Sequence, residues 1–248
     1  MLADARTKIE DALHTGKVVI KEAMGTLMAP PTLGYWDLRG RCQAIRNLLV
    51  HKGTEFNDKR YKFGPAPGFG REDWLKEKFT LGLRFPNLPY YIDGDVKIVQ
   101  SKAILRYLAR KYDLDARNEA EHQLLDMLGA QAHDLAWGLV VLAFNPNFDQ
   151  ERRKYEEQME EKLRPWSEEL EGKQWVLGAR MSYADFVLYE ALDWNHEFKP
   201  DVFQKFPNLT GFMKRFEELP NIHKYFTSGK YNKWPITAPY AKWGFKKE

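Results

Sequence analysis

The spacing of apolar residues predicts short alternating strands and helices in the first part of the chain. Ile45, Leu48 and Leu49 recur at helical spacing, and this single apolar face predicts an amphipathic helix. The segments on either side are short and bounded, which is typical of strands. The predicted elements are, in order, a strand over 32–37, a helix over 41–52, a strand over 55–62, a helix over 71–79, strands over 88–92 and 96–99, and a helix over 100–111.

The pattern changes after Tyr112, where no further strand is predicted. Helical spacing extends over 119–144 and 149–170, and a shorter helix is predicted over 208–219. The second of these has one apolar stripe. Its members are Tyr155, Met159, Leu163, Trp166 and Leu170.

Ser182 and Asp185 precede an apolar run and resemble a capping box, with aspartate in place of glutamate. The sequence therefore predicts two domains, an α/β domain with a mixed sheet over 30–112 and an all-helical domain over 119–248.

Residues 1–29 differ from the rest. They have helical apolar spacing, but acidic residues offset the basic ones, and transit peptides are poor in acidic residues. We interpret this extension as an alternative N-terminus or a loosely docked helix outside the predicted domains.

Composition narrows the class of protein. The 248 residues are 44% hydrophobic, which allows a real core, and the net charge is +3. No basic run with interleaved aromatic residues indicates a nucleic-acid surface. The longest apolar run, near 135–144, is about half of a membrane span. We therefore expect neither a nucleic-acid partner nor a membrane partner.

Cys42 is the single cysteine, so the chain cannot form an internal disulfide. This fits a reducing compartment such as the cytoplasm. Its place at the start of a helix would suit an activated thiol, but a half-buried packing residue is the favoured interpretation. The histidines form no ligand pair at helical spacing, so no metal site is predicted.

Tyr35 is the candidate for chemistry, because it stands where the first strand gives way to a glycine turn. Ligands of α/β proteins bind at such strand ends. The glycine- and proline-rich segment 64–70 is predicted to be a loop. A phosphate cradle there is disfavoured, because the Gly-Lys-Ser/Thr ending is missing.

Several segments resemble the mu class of the soluble glutathione transferases. They are G-Y-W-D-L-R-G at 34–40, G-P-A-P-G-F-G-R-E-D-W at 64–74, E-K-F-T-L-G-L-R-F-P-N-L-P-Y at 77–90, Q-S-K-A-I-L-R-Y-L-A-R-K at 100–111 and F-N-P-N-F at 144–148. The resemblance begins at about residue 30 and leaves out the extension. It implies a thioredoxin-like N-terminal domain with a mixed four-stranded sheet and an all-α C-terminal domain.

The resemblance implies that Tyr35 donates a hydrogen bond to the sulfur of bound glutathione. A free thiol has a pKa of about 8.5, and the thiolate is the nucleophile. Lowering this pKa by about two units requires about 2.7 kcal/mol, which a charge-assisted hydrogen bond can supply. Glutathione would be a co-substrate, and no cofactor is expected.

The same resemblance implies which residues bind the rest of the glutathione tripeptide. Leu88-Pro89 would be a cis step whose backbone pairs with glutathione like an added strand. Gln100 and Ser101 begin a helix, whose free N–H groups would bind the γ-glutamyl carboxylate.

Further contacts to glutathione are implied for Trp36, Arg71, Trp74, Lys78 and Asn87. Trp74 and Lys78 are four residues apart, so on the predicted helix they would share a face and meet the glycyl carboxylate. Taken alone, each of these residues would more often be a surface contact.

A homodimer with shared sites is also implied. Asp134 would reach into the neighbouring subunit and meet the γ-glutamyl ammonium. Phe85 would insert into a pocket on the partner, although an aromatic residue in such a loop could instead fold back on its own core. Arg110 would lie near the twofold axis.

The electrophile site departs from the class in two positions. Phe144 stands where many members have a tyrosine, and it cannot donate a hydrogen bond. Arg41 stands where an apolar residue is usual, and could repel bulky apolar substrates or attract anionic ones and favour the thiolate. The other residues implied for this wall are Leu38, His133, Trp137, Thr237 and Ala238.

The function implied is conjugation of the glutathione thiolate to small hydrophobic electrophiles, which is detoxification. Two alternatives stay open at this point: a carrier of apolar or haem-like ligands, and a structural protein on a transferase scaffold. Arg41 and Phe144 keep the first alternative open, whereas Tyr35 with its surrounding constellation favours the enzyme.

Overall fold

The first part of the structure, a computed structural model that describes residues 29–246, alternates strands and helices. The elements are β1 Thr32–Trp36, α1 Gln43–His51, β2 Asn57–Tyr61, α2 Glu72–Leu75, β3 Tyr90–Asp93, β4 Val96–Val99 and α3 Ser101–Lys111. The predicted extension, 1–29, lies outside the described residues apart from Ala29.

The four strands form one mixed sheet in the order β2-β1-β3-β4. β1 runs parallel to β2 and antiparallel to β3, and β3 pairs with β4 as a hairpin. The central strand β1 is buried along its middle three residues; it pairs with β2 along its whole length, including Tyr35 and Trp36, and with β3 over residues 32–34. The predicted mixed sheet is confirmed.

Helices make up most of the second part. They are α4 Glu119–Ala143, α5 Phe148–Glu169, α6 Tyr183–Phe198, a 3₁₀ helix Pro200–Lys205, α7 Pro207–Glu217 and α8 Pro220–Phe226. The predicted stripe of α5 is buried against the core. The sequence pattern missed α8, a short helix that begins with Pro220, a residue favoured at the first helical position.

Several predicted elements also differ from the structure in extent, and two of these differences lie near the site. The helix predicted over 71–79 ends at Leu75 and is followed by turns. The strand predicted from Leu88 begins at Tyr90, and the Leu88-Pro89 step before it is cis, as the resemblance implied.

Helix α6 packs against α1, α3, α4 and α7, and nearly all of its residues are buried. It begins with the predicted capping box. The carboxylate of Asp185 accepts hydrogen bonds from the backbone N–H groups of Ser182 and Val176, each at 2.8 Å. These bonds satisfy donors that would otherwise be buried without a partner.

Replacement of Asp185 by alanine should therefore lower the free energy of unfolding by about 2–3 kcal/mol, the loss of a cap plus an unsatisfied buried N–H. Urea unfolding at fixed protein concentration measures this. Asp149→Ala is the matched control, an exposed acid in the first turn of α5, and should cost less than about 1 kcal/mol. Equal losses in the two variants would contradict the assigned role.

Two apolar clusters stabilise the fold. The larger joins α1 and α3 to the helices of the second part. The smaller consists of Tyr61, Trp74, Leu83 and Tyr90 and lies on the other face of the sheet. Within residues 29–246, no helix has the length and apolar character that crossing a membrane requires.

Candidate functional site

A cleft of about 300 Å³ lies between the end of β1, helix α4 and the C-terminal tail, which we define as residues 231–246. Tyr35 and Trp36, at the end of β1, form part of its wall. Most of the other lining side chains are aliphatic or aromatic, with a few polar groups among them. Small-molecule sites have this character.

The hydroxyl of Tyr35 remains protonated at neutral pH. Tyr35 is buried, and burial raises its pKa to about 12. Its oxygen accepts a hydrogen bond from the backbone N–H of Arg41 at 3.2 Å. Because this bond uses a lone pair only, the phenolic proton remains available for a ligand atom in the cleft.

The turn after β1 needs a glycine beside this hydroxyl. Gly40 has φ +38, and a Cβ there would lie 2.7 Å from the Tyr35 oxygen. A side chain at this position would therefore press on the hydroxyl and strain the backbone.

The tail fixes the same turn from the other side. The backbone N–H groups of Arg39 and Gly40 donate to the carbonyls of Pro235 and Ile236 at 2.9 and 3.0 Å. The position of Tyr35 thus depends on residues that are far away in sequence.

A buried ionic network anchors the turn to α6. Arg39 is 1% exposed, and its guanidinium lies 3.0 Å from Glu190 and 2.6 Å from Asp193. Asn47 and Trp194 donate to the Glu190 carboxylate at 3.0 and 3.1 Å. Burial raises the pKa of Glu190, although the Arg39 charge acts in the opposite direction.

The residues predicted to contact glutathione divide into two groups. Tyr35, Trp36 and Ser101 line the cleft. Gln100, which precedes α3, is exposed and has φ +76. Like Gln100, the remaining predicted contacts lie outside the lining; they are Arg71, Trp74, Lys78, Asn87, Leu88, Pro89 and Asp134.

The backbone N–H of Leu88 already makes a hydrogen bond within the chain, which a bound peptide would have to replace. This N–H donates to the side-chain oxygen of Asn87 at 2.9 Å. Pairing of this N–H with glutathione therefore requires the Asn87 side chain to turn away, and the role of both residues stays a prediction.

Trp74 and Lys78 do not share a helix, because α2 ends at Leu75. The indole of Trp74 is buried, stacked on Tyr90 with ring centroids 6.0 Å apart. The backbone N–H of Lys78 still donates to the Trp74 carbonyl at 3.0 Å, which continues the turn. Trp74 has a packing function that the sequence pattern did not predict, and its contact with glutathione stays a prediction.

All seven residues predicted for the electrophile side line the cleft. Leu38 and Arg41 come from the turn after β1, His133, Trp137 and Phe144 from α4 and its C-terminal cap, and Thr237 and Ala238 from the tail. The structure therefore brings these residues together from three separate parts of the chain.

Other lining residues were missed. Tyr240 contacts Phe144, with ring centroids 5.5 Å apart, and Phe63 contacts Tyr240 at 6.0 Å. Lys102, in the first turn of α3, also lines the cleft. Only the placement of the tail across the cleft reveals Tyr240, whereas Lys102 could have been found from its position beside Ser101.

Arg41 reaches across the mouth of the cleft. The carbon at the centre of its guanidinium lies 3.7 Å from the ring centroid of Trp137, a cation–π contact. One guanidinium nitrogen is 3.5 Å from Nε2 of His133. The His133 ring is stacked on Trp137, with centroids 5.9 Å apart.

The residues predicted at a subunit interface are exposed. The exposed fraction of Phe85 is 70%, and that of the Arg110 side chain is 63%. A second cleft, of about 760 Å³, lies between α4 and α5. Asp134 lines this second cleft rather than the one at Tyr35.

Comparisons with known proteins give the family. Residues 31–110 match the family model "Glutathione S-transferase, N-terminal domain", and residues 133–229 match "Glutathione S-transferase, C-terminal domain". Glutathione S-transferase Mu 2 of Mus musculus is 46% identical over 217 residues, which cover 88% of this chain and all of that protein. Glutathione S-transferase Mu 1 of Homo sapiens is 43% identical over the same coverage.

Solved structures agree with this result. The crystal structure of the glutathione S-transferase Blo t 8 superposes with a TM-score of 0.79 at 38% identity, over 86% of this chain and 99% of that one. The Pi-class glutathione S-transferase of Onchocerca volvulus gives 0.74 at 30% identity, over 85% and 98%. The chain therefore belongs to the glutathione S-transferase family, and the predicted fold class is confirmed. Its similarity to the curated relatives places it in the mu class, as the sequence motifs predicted.

Among the residues that the structure describes, no group of three or more histidine, cysteine or acidic side chains is arranged to hold a metal ion. Cys42 is fully buried at the start of α1, and burial raises its pKa to about 12. Its thiol is therefore protonated and inaccessible, which supports the packing interpretation.

Proposed function

We propose that this protein joins the sulfur of glutathione to electrophilic carbon atoms of largely apolar compounds, in the manner of a detoxifying transferase. The observation that carries the proposal is the buried, protonated hydroxyl of Tyr35 at the wall of an apolar cleft. The choice of glutathione as the thiol substrate rests on membership of the family.

The hydroxyl would act on the thiol without reacting itself. As the glutathione thiol loses its proton to solvent, the O–H of Tyr35 donates a hydrogen bond to the developing sulfur anion. The thiolate then attacks the electrophilic carbon, where a carbon–sulfur bond forms and the leaving group departs with its electron pair. Tyr35 keeps its proton throughout.

The remaining glutathione contacts complete the proposal. Ser101 at the buried N-terminus of α3 would bind the γ-glutamyl carboxylate, with Gln100 beside it. Trp36, Arg71, Trp74, Lys78, Asn87, Leu88 and Pro89 would surround the rest of the tripeptide. No cofactor is needed for this chemistry. We place the protein in the reducing cytoplasm, because its single cysteine is a free thiol and forms no internal disulfide.

Titration of bound glutathione tests the proposal. Thiolate absorbance is followed against pH at saturating glutathione, and the pKa of the bound thiol should be about two units below the free value of about 8.5. Binding without a lowered thiol pKa would indicate a carrier instead of an enzyme. Absence of glutathione binding would contradict the whole proposal.

We also propose a homodimer. What supports it is the exposed aromatic ring of Phe85 on one surface and the cleft between α4 and α5 on another. That cleft is lined by apolar side chains such as Leu135 and Trp166 and is large enough for a phenyl ring. In a symmetric dimer each Phe85 would enter the partner's cleft, and Asp134 at its edge would face the partner's γ-glutamyl ammonium.

Phe85→Ser should therefore weaken the dimer and increase the monomer fraction at micromolar concentration, measured by analytical ultracentrifugation. Phe79→Ser is a matched control, because Phe79 is exposed to 77% in the same part of the chain. A Phe85→Ser protein that stays fully dimeric would contradict the assignment, as would an equal effect of Phe79→Ser.

A further inference from the structure

Some of the charged residues that line the Tyr35 cleft have a partner of opposite charge, and others do not. Arg106 lies 2.5 Å from Asp126, so these two charges compensate each other. Glu190 is compensated by Arg39. Both acidic residues that line the cleft therefore already have cationic partners.

Two other cations that line the cleft, Arg41 and Lys102, lack such a partner. Within residues 29–246, no carboxylate oxygen lies within 4.0 Å of the Arg41 guanidinium or the Lys102 ammonium. Both side chains are exposed at the cleft. Its mouth thus has an excess of positive charge, which attracts anions.

The excess of positive charge affects the pKa of His133. Burial lowers its pKa, and the charges of Lys102 and Arg41 lower it further, although Asp134 acts in the opposite direction. The imidazole is therefore neutral at physiological pH. Its ring is stacked on Trp137, and the Arg41 guanidinium covers the Trp137 indole.

Arg41 also connects the anion-attracting mouth to the reacting centre. Its backbone N–H is bonded to the Tyr35 hydroxyl, while its side chain crosses to α4. A planar electrophile in the cleft beside Trp137 would place an acidic substituent at the guanidinium and its reactive carbon toward the sulfur site. A guanidinium suits this task, because its planar fork binds carboxylates through two parallel hydrogen bonds.

We propose that the electrophiles this enzyme prefers carry an acidic group, and that Arg41, assisted by Lys102, determines this preference by binding that group at the mouth of the cleft, where Trp137 holds the guanidinium. The proposal rests on the glutathione-conjugating function given above and adds the substrate class.

A pair of probes that share one reactive carbon, one of them charged and the other neutral, tests it. They are para-(chloromethyl)benzoate and its methyl ester, in which the thiolate displaces chloride from the same benzylic carbon. The ratio of kcat/KM for the acid to that for the ester is measured at saturating glutathione. Arg41→Leu should lower this ratio about 10- to 100-fold, the range of a charge-assisted hydrogen bond.

The control variants separate local binding from net charge. Arg153→Leu removes one exposed positive charge from α5, outside the cleft, and should leave the ratio unchanged. Arg41→Lys keeps the charge without the planar fork and should retain part of the preference. Lys102→Met should lower the ratio less than Arg41→Leu does. Added salt should reduce the preference of the wild type.

Several outcomes would overturn the proposal. These are a wild-type ratio that does not favour the acid, equal loss for both probes in Arg41→Leu, or a raised KM for glutathione with an unchanged ratio. Calorimetric binding of the two glutathione conjugates gives a readout independent of turnover, and Arg41→Leu should weaken only the acidic one. Failure of the conjugating function itself is recognised separately, by titration of bound glutathione without any electrophile.

Discussion

Replacement of Tyr35 by phenylalanine should lower the rate of conjugation at about pH 6.5 by roughly 50-fold. The reason is the thiol pKa. If the hydroxyl of Tyr35 lowers the pKa of bound glutathione from about 8.5 to about 6.5, half of the thiol is ionised at that pH in the wild type and about one per cent in the variant. Steady-state rates at saturating glutathione measure the loss.

The loss should depend on pH in a definite direction. At about pH 9.5 most of the thiol is ionised in both proteins, so the two rates should differ only a few-fold. Tyr155→Phe is the matched control, because Tyr155 is equally buried but its hydroxyl donates to Asn195 away from the Tyr35 cleft. A loss that stays constant from pH 6 to 10 would show that Tyr35 acts on the transition state rather than on thiol ionisation.

Replacement of Arg39 by methionine should lower the free energy of unfolding by about 3–5 kcal/mol. The variant leaves the buried carboxylate of Glu190 without its cation, and Asp193 with only the more distant Lys233, at 3.9 Å. Denaturant unfolding must be measured at one protein concentration, because the stability of an oligomer depends on it. Arg106→Met is the control; its ion pair with Asp126 is exposed, and the loss should be below about 1 kcal/mol.

The pH dependence of the Arg39→Met variant follows from Glu190. Burial raises the pKa of this carboxyl in the folded protein, and loss of the guanidinium should raise it more. Since the folded state then favours the protonated acid, stability should fall as pH rises from the unfolded value, about 4.3, through the raised folded one. The loss should therefore be smaller at about pH 5 than at about pH 8.

A rescue experiment distinguishes uncompensated charge from lost packing. Glu190→Gln and Asp193→Asn, added to Arg39→Met, remove the buried charges and should restore most of the stability at neutral pH. If the triple variant is as unstable as Arg39→Met alone, the network stabilises the fold through packing and not through charge compensation.

Much of the fold could be predicted because its signals are local. The stripe of α5 and the capping box of α6 each depend on residues within a few turns of one helix. The extent of the segment after Arg71 could not be predicted in this way, because burial of Trp74 against Tyr61 and Tyr90 shapes it. Tertiary packing overrides helix propensity in such short segments.

The site was predictable to a similar degree. Tyr35 could be identified from its place at the end of a strand, and Arg41 from its departure from the class motif. The contact of Arg41 with Trp137 depends on how α4 packs beside the turn, and no sequence spacing specifies it. The network around Arg39 was missed for the same reason, because its acids lie on α6.

The distance in sequence between Arg39 and its partners also has a consequence during protein synthesis. Glu190 is 151 residues downstream, and Lys233, whose carbonyl accepts from the same guanidinium, is 194 residues downstream. At about 5–20 residues per second, the ribosome makes these partners up to roughly 10–40 s after Arg39. Until then, the first domain of the nascent chain has Arg39 without its acidic partners, in the turn that follows Tyr35. Catalytic competence should appear only when translation is almost complete.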